Sequence, residues 1–412
     1  MNARILGLAI PAIITNITVP LLGLIDIAIV GHLGSAVYIG AIAIGGLLFN
    51  IMYWLFGFLR MGTSGLTAQA YGRNDTHEVT RILFRAVGIG IGIAFLLILF
   101  QYPLQQFIFL FIKPSEEVSS LAILYYRICI WGAPAVLGFY GLSGWFIGMQ
   151  NTKYPMLIAI AQNIINIICS LFFVFVLKMK VEGVALGTLI AQYGGFIMAI
   201  LLWRVTYYKS YSIIKWKELW NKADMKQFFQ LNSDIFLRTL CLVLVTTFFT
   251  SVGAQQGDLI LAVNTLLMQL FTLFSYFMDG FAYAGEALTG LFIGSKNKTA
   301  LKQMIHNLFV WGTGLALLFT GLYALGGKNF LSLLTNDSAV INASTAYFWW
   351  TLAIPLAGFS AFLWDGIFIG ATATRKMLYA MLVSSASFFL CYFLLHKQLG
   401  NHALWLAFLI YL

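Results

Sequence analysis

Apolar runs of about 20 residues recur twelve times along this chain. A run of that length crosses the roughly 30 Å hydrocarbon core of a bilayer as a helix, because lipid offers the backbone no hydrogen-bond partner. The runs begin near Ile5, Tyr38, Ile82, Leu121, Tyr154, Val181, Phe236, Leu259, Met304, Ala343, Met377 and His402. The last has too few residues to span, so the expectation is a natural chain that continues beyond Leu412. The first is too long for the apolar region of a signal peptide and lacks a suitably placed small-residue cleavage site, so it stays in the mature protein. With 61% hydrophobic and 9% charged residues, the fold class is an all-α polytopic membrane protein.

The net charge of +10 invites a nucleic-acid reading until Lys and Arg are assigned to alternate sides of the twelve runs. Arg4, Arg73, Arg81, Arg85, Lys153, Arg204, Lys209, Lys215, Lys217, Lys222, Lys226, Lys296, Lys298, Lys302, Arg375 and Lys376 make sixteen on one side. Lys113, Lys178, Lys180, Lys328 and Lys397 make five on the other, while Arg60, Arg127 and Arg238 lie in or at the edge of runs. The positive-inside rule therefore puts both termini in the cytoplasm, and the basic surplus is a topology signal with no nucleic-acid partner implied. Cys129, Cys169, Cys241 and Cys391 lie far apart in apolar runs, with neither a C-x-x-C pair nor His at metal spacing. They read as small core residues.

The two halves repeat. An offset of 223 residues sets the Leu8 run over the Leu231 run and Tyr71–Asn74 over Gly294–Asn297. Trp131–Pro134, Phe146–Gly148 and Asn151–Lys153 match Leu352–Pro355, Phe368–Gly370 and Ala373–Arg375, with one inserted residue, and Val184–Leu186 answers His402–Leu404. Six runs per half is an even number, so both halves share one orientation about an axis along the membrane normal. The expected architecture is twelve transmembrane helices in two pseudo-symmetric six-helix lobes around a central cavity. The lobes are residues 1–203 and 228–412, the second with an incomplete last helix, and 204–227 is a basic, aromatic linker lying on the cytoplasmic headgroups.

The most unusual run is Ala9–Gly34, which carries Pro11, Pro20 and a carboxylate, Asp26. An Asp at the centre of a membrane helix is disfavoured by about 2.5–3.5 kcal/mol on insertion scales and normally faces a bundle interior or an aqueous cavity. The prolines are places where this helix can bend. The alternative is an Asp26 that only bonds a neighbouring helix, with both prolines as static kinks. In the fifth run Asn163, Asn166 and Ser170 share one helical face, suited either to ion coupling or to bonds between helices.

The second half has its own acids. Asp279 and Glu286 share a face with Thr272, Ser275 and Tyr276, and Asp365 follows Trp364. Tyr276, Asp279, Glu286 and Asp365 read either as lining a substrate cavity or as a structural network. Asp234 and Arg238 have the spacing of an i,i+4 ion pair and read as structural. Arg60 and Arg127 either snorkel or balance the acids, and the 16% aromatic content suits a cavity that holds organic cations.

The segments Asp26–Gly34 (DIAIVGHLG), Phe58–Gln69 (FLRMGTSGLTAQ), Phe146–Lys153 (FIGMQNTK) and Asp279–Glu286 (DGFAYAGE) resemble the multidrug and toxic compound extrusion (MATE) transporters, most closely their bacterial DNA-damage-inducible F branch. The resemblance covers nearly the whole chain. It implies an antiporter of the bacterial inner membrane that expels amphipathic, often cationic drugs while protons or sodium ions run inward. It places a cation-coupling site at Asp26, Asn163, Asn166, Ser170 and Thr188, with Pro11 and Pro20 as hinges. A sodium ion would be held by Asp26, Asn166 and Thr188. Many relatives carry a carboxylate where this chain has Ser170, which leaves Asp26 as the evident proton carrier.

The runner-up is a lipid-linked-sugar flippase of the same superfamily, which needs a more basic cavity than three intramembrane arginines against five acids. An enzyme is disfavoured because His32, His77, His306, His396 and His402 are scattered and no H-E-x-x-H or nucleophile elbow is present. No GxxxxGK[ST] loop is present, so the energy source is an ion gradient with no organic cofactor.

Overall fold

In the computed structural model the described residues, 1–32, 35–111, 115–208 and 216–412, are helical almost throughout. Gly34, Lys113, Lys209 and Lys215, used above, lie outside them. The first half comprises α1 (Asn2–Gly31), α2 (Ala36–Leu55), α3 (Phe58–Gly72), α4 (Thr76–Leu99), α5 (Gln101–Phe111), α6 (Glu116–Cys129), α7 (Ala133–Gly148), α8 (Lys153–Leu171) and α9 (Val181–Tyr207). A short α10 (Trp216–Leu219) leads to α11 (Lys222–Gln255), α12 (Asp258–Gly294), α13 (Lys298–Leu334), α14 (Ser338–Ser344), α15 (Phe348–Gly370), α16 (Thr374–Leu399) and α17 (Asn401–Tyr411). Both ends of the 204–227 connection are thus helical, in α9 and α11.

Among the described residues eleven spans are long and apolar enough to cross a membrane, with α2–α3 and α6–α7 each forming one. The twelfth, α17, has 11 residues and reaches only about 17 Å at 1.5 Å per residue. The tenth span opens at Phe348, later than Ala343, because α14 forms a separate turn of helix before it. Large apolar side chains such as Leu99, Val205 and Leu325 point outward, as a lipid-facing surface requires.

The repeat is visible in the backbone, and its register at the Tyr71–Asn74 turn is 222, not 223, the same as that read for Phe146–Lys153. Asn74 and Lys296 both sit at positive φ, 57° and 56°, as do Gln150 and Thr372, 63° and 53°. Asp75 caps α4 by accepting from the Glu78 N–H at 2.9 Å, and Asn297 caps α13 by accepting from the Ala300 N–H at 3.0 Å. The one-residue correction matters because it turns a helix by about 100° and brings Gly72 onto Gly294.

The halves meet through close backbone approach near these loops. A Cβ on Gly65 would lie 2.3 Å from the Ile369 carbonyl oxygen, and one on Gly290 2.4 Å from the Ala68 side chain. Within each half the same pattern repeats, Gly144 against Arg60 and Gly148 against Ser64 and Thr67 in the first, Gly366 against Ala282 and Gly370 against Glu286 and Thr289 in the second. Cross-half bonds sit in the same region, from Gln69 Nε2 to the Gly370 carbonyl at 3.0 Å and from Gln150 Nε2 to the Ala287 carbonyl at 2.8 Å. Asn16 Nδ2 to the Tyr276 carbonyl, 3.2 Å, bounds this zone toward the opposite side. Arg81 and the buried Arg85 of α4 both bond Asp224 at the start of α11, and Arg85 also bonds the Leu219 carbonyl. The halves are therefore clasped on the side of the basic loops.

Candidate functional site

Asp26 lies in the second half of α1, with 2% of its surface exposed. Its Oδ2 accepts from Thr188 Oγ1 of α9 at 3.1 Å, and that hydroxyl accepts from Asn166 Nδ2 of α8 at 3.1 Å. Three helices thus converge on one carboxylate. Asp26 Oδ1, Asn166 Oδ1 and Ser170 Oγ have no partner among protein atoms. Ser170 is brought there by Gly187, where a Cβ would stand 2.3 Å from its Oγ, so glycine lets α8 and α9 touch beside Thr188.

Asn163 is on the same face but serves α1 differently. Its Nδ2 donates to the Thr18 carbonyl at 3.2 Å and to its own helix at Ala159, 3.0 Å. Thr18 precedes Pro20, whose missing N–H leaves the Asn16 carbonyl without its in-helix donor. Asn163 therefore braces the weakened turn of α1 without joining the Asp26 bonds. Near Pro11, Thr15 Oγ1 donates to the Pro11 carbonyl at 2.9 Å. Despite both prolines, α1 is one helix from Asn2 to Gly31.

Tyr125 and Cys129 of α6 stand beside Asp26 and Thr188 and were missed in the sequence. Their i,i+4 spacing gives one shared face but nothing to link it to α1. Cys129 also donates to the Ala185 carbonyl at 3.7 Å, as a buried core residue. At the matching positions among the described residues the second half has no such polar site. At the 222 offset Asn166 and Ser170 become Phe388 and Tyr392, Asp26 becomes Phe248 (Phe249 at 223), and Phe248 packs on Phe388 with ring centroids 5.9 Å apart.

The acids of the second half form two ion pairs. Arg60 Nη1 of α3 reaches Glu286 Oε2 of α12 at 3.5 Å, and the guanidinium also stacks 4.2 Å over the Tyr283 ring. Arg238 of α11 pairs with Asp365 of α15 at 2.8 Å. This corrects the i,i+4 pair expected within α11, because Asp234 instead accepts from Thr374 Oγ1 of α16 at 3.0 Å. Helical spacing brings two groups to one face, and cross-helix partners then decide where each side chain turns. Asp279 and Tyr276 are half-buried, and Asp279 lies near Arg238, Arg60 and Asp365 without an ion pair among the described residues. Thr272 and Ser275 bond back to their own helix. Arg127 bonds Gln105 at the exposed edge, so it snorkels while Arg60 balances an acid.

Glu286 is set deeper than Asp279, with 1% exposed. Its Oε1, with Ser64 Oγ, Thr63 Oγ1, Thr67 Oγ1, Thr289 Oγ1 and Gln150 Oε1, has no partner among protein atoms. Ser64 lies within hydrogen-bonding reach of the carboxylate. A buried polar group left unpaired is disfavoured by about 1–3 kcal/mol, so this seam is an uneasy packing.

A family model, MatE, matches residues 11–172 and 235–393. The chain belongs to this family. It is 37% identical over 406 residues to the DNA damage-inducible protein F of Escherichia coli, covering 98% of this chain and 88% of that relative. Two solved MATE structures share the fold at 19% identity. One, a MATE transporter in a bent conformation, has a TM-score of 0.87 and covers 100% of this chain and 92% of its own. The other, a multidrug resistance transporter in an outward-facing conformation, has a TM-score of 0.84 and covers 99% of this chain and 92% of its own. As a MATE member this chain is a multi-pass membrane transporter, not an enzyme.

Proposed function

We propose that this MATE protein is a secondary active exporter in the bacterial inner membrane that exchanges amphipathic, cationic organic compounds for inward-moving protons, with Asp26 as the coupling carboxylate and both termini cytoplasmic. The observation that carries the reading is Asp26 itself. It is a buried carboxylate with one oxygen bonded by Thr188 and the other bare, on a helix weakened by Pro20 and braced by Asn163. Charge on Asp26 retains the Thr188 and Asn166 bonds, whereas a proton on the carboxylate weakens them and frees α1 to pack otherwise. Drug and proton then bias one two-state element in opposite directions, as antiport requires. The half-buried Tyr276, Asp279 and Asp365 supply the aromatic and acidic surface for the exported cation.

A sodium reading has one observation of its own, the bare oxygens of Asp26 on α1 and of Asn166 and Ser170 on α8. A single carboxylate among neutral oxygens favours the proton. Ethidium export from proteoliposomes under an imposed pH gradient or an imposed sodium gradient, each alone, separates the two. The proton reading expects export under the pH gradient only. Export under neither gradient overturns antiport.

A further inference from the structure

The first turn of α17, external in the orientation proposed above, is held by polar bonds that neither the coupling site nor the ion pairs use. Asn401 and Asn264 of α12 exchange amide bonds at 2.8 and 2.9 Å, and Trp405 Nε1 donates to Asn264 Oδ1 at 2.9 Å. Beside them Trp350 Nε1 of α15 donates to His402 Nδ1 at 3.0 Å. All of these side chains are buried except His402, which is half-buried. The first half has apolar residues at the matching places, Ile42 for Asn264 and Val184 for His402.

An indole N–H only donates, so the bond from Trp350 requires an Nδ1 without a proton and leaves the neutral ring's proton on Nε2. The indole is fixed in place, since Trp349 stacks on it with ring centroids 3.7 Å apart, and the Tyr347 ring lies 4.6 Å from that of His402. A proton on Nδ1 sets N–H against N–H and ends the bond. The other titratable groups at this end of the packed elements are Asp258 opening α12, Asp337 before α14, Tyr347 before α15, and His396 and Lys397 in the last turn of α16. α11, which meets Trp405 through Phe249, has no charged residue beyond Arg238. Among the described residues none of these forms an ion pair with His402.

The far end of the same helix reaches the acids of the second half. At 1.5 Å per residue Tyr411 lies about 14 Å along α17 from His402. Its hydroxyl donates to Met381 Sδ at 3.2 Å, and it stands near Arg238 and Asp365.

We propose that His402 is a proton sensor on the external side of the second half, separate from Asp26. Neutral, it holds α17 to α15. Protonated, it releases the first turn of α17, so that Tyr411 loses its place beside the Arg238–Asp365 pair and the exported cation is bound less tightly. The inference rests on the orientation and the substrate surface proposed above, but it regulates that surface through a group the antiport reading does not use.

The test is ethidium binding to purified protein in detergent between about pH 8 and about pH 5.5, a range in which imidazole changes charge. His402→Gln keeps an acceptor for Trp350 without a charge, and Trp350→Phe removes the donor. Acidification should weaken binding by the wild type at least about threefold more than binding by either variant, the fold-change that one ordinary hydrogen bond carries. Equal weakening in all three overturns the sensor. Export driven by a pH gradient tests antiport separately, and His402→Gln should retain it, so a failed sensor leaves antiport standing. Should the variants not fold or the dye not bind, hydrogen exchange in the unmodified protein decides. Protection of residues 401–411 relative to residues 377–388 of α16 should fall on acidification, the ratio cancelling the intrinsic effect of pH on exchange. An unchanged ratio contradicts the sensor.

Discussion

Gly72 and Gly294, 222 residues apart, each lie against the helix that carries the other. A Cβ on Gly72 would stand 2.2 Å from the Leu291 carbonyl oxygen, and one on Gly294 2.1 Å from that of Gln69. These reciprocal approaches close one side of the molecule, with glycine required because backbone, not a flexible side chain, is the neighbour. Gly72→Ala and Gly294→Ala should each destabilise the clasped state by about 1–3 kcal/mol through overpacking, read as a lower unfolding temperature in detergent. Gly314→Ala, with nothing within 4 Å of its added methyl, should leave that temperature unchanged.

The Arg238–Asp365 pair gives a second expectation. Both side chains keep some exposure, 13% and 21%, so Asp365→Asn should cost toward the lower end of the roughly 1.5–3 kcal/mol typical of charged hydrogen bonds. The double exchange Arg238→Asp with Asp365→Arg should restore part of that stability in a thermal-melt double-mutant cycle. Removing Asp234, which pairs with no cation among the described residues, should matter less to Arg238. A coupling between Asp234 and Arg238 larger than that between Arg238 and Asp365 would return the pair to α11.

Orientation is tested by tags. One inserted after Lys296, in the turn beside Lys298 and Lys302, should be cytoplasmic, and one after Gly257, between α11 and α12, external. Reversed labelling at both sites would overturn the membrane orientation and place the clasped seam on the outer face.

Ser170 should set ion choice. Its Oγ is one of three bare oxygens with Asp26 Oδ1 and Asn166 Oδ1, and Ser170→Asp adds a second carboxylate, which a sodium site favours through compensating charge. Ethidium export by Ser170→Asp should gain a response to an imposed sodium gradient. An export rate indifferent to sodium before and after the change would count against the pocket as the ion's place.

The helical architecture was legible because lipid leaves an apolar run of about 20 residues no other fold, and the MATE resemblance reached most of the chain. Asp26, Asn166 and Thr188 were named from the sequence, and the structure joins them by two hydrogen bonds. What was illegible lay one step beyond periodicity. The i,i+4 spacing of Asp234 and Arg238 placed both on one face, yet each found a partner on another helix. Asn163 shares the face of Asn166 but is drawn to the Thr18 carbonyl, a backbone acceptor no side-chain pattern marks. The repeat was read one residue out at the Tyr71–Asn74 turn, though not at Phe146–Lys153, and it is the paired positive φ angles of Asn74 and Lys296 that set the register there.

With Asp26 as the coupling group, one proton leaves it when the exported cation binds. Ethidium added to purified protein in weakly buffered detergent solution should release protons from the wild type, and the Asp26→Asn variant, folded with an unchanged melting profile, should release none while still binding the dye. Undiminished proton release from Asp26→Asn would show that another group carries the coupling proton and would contradict the account.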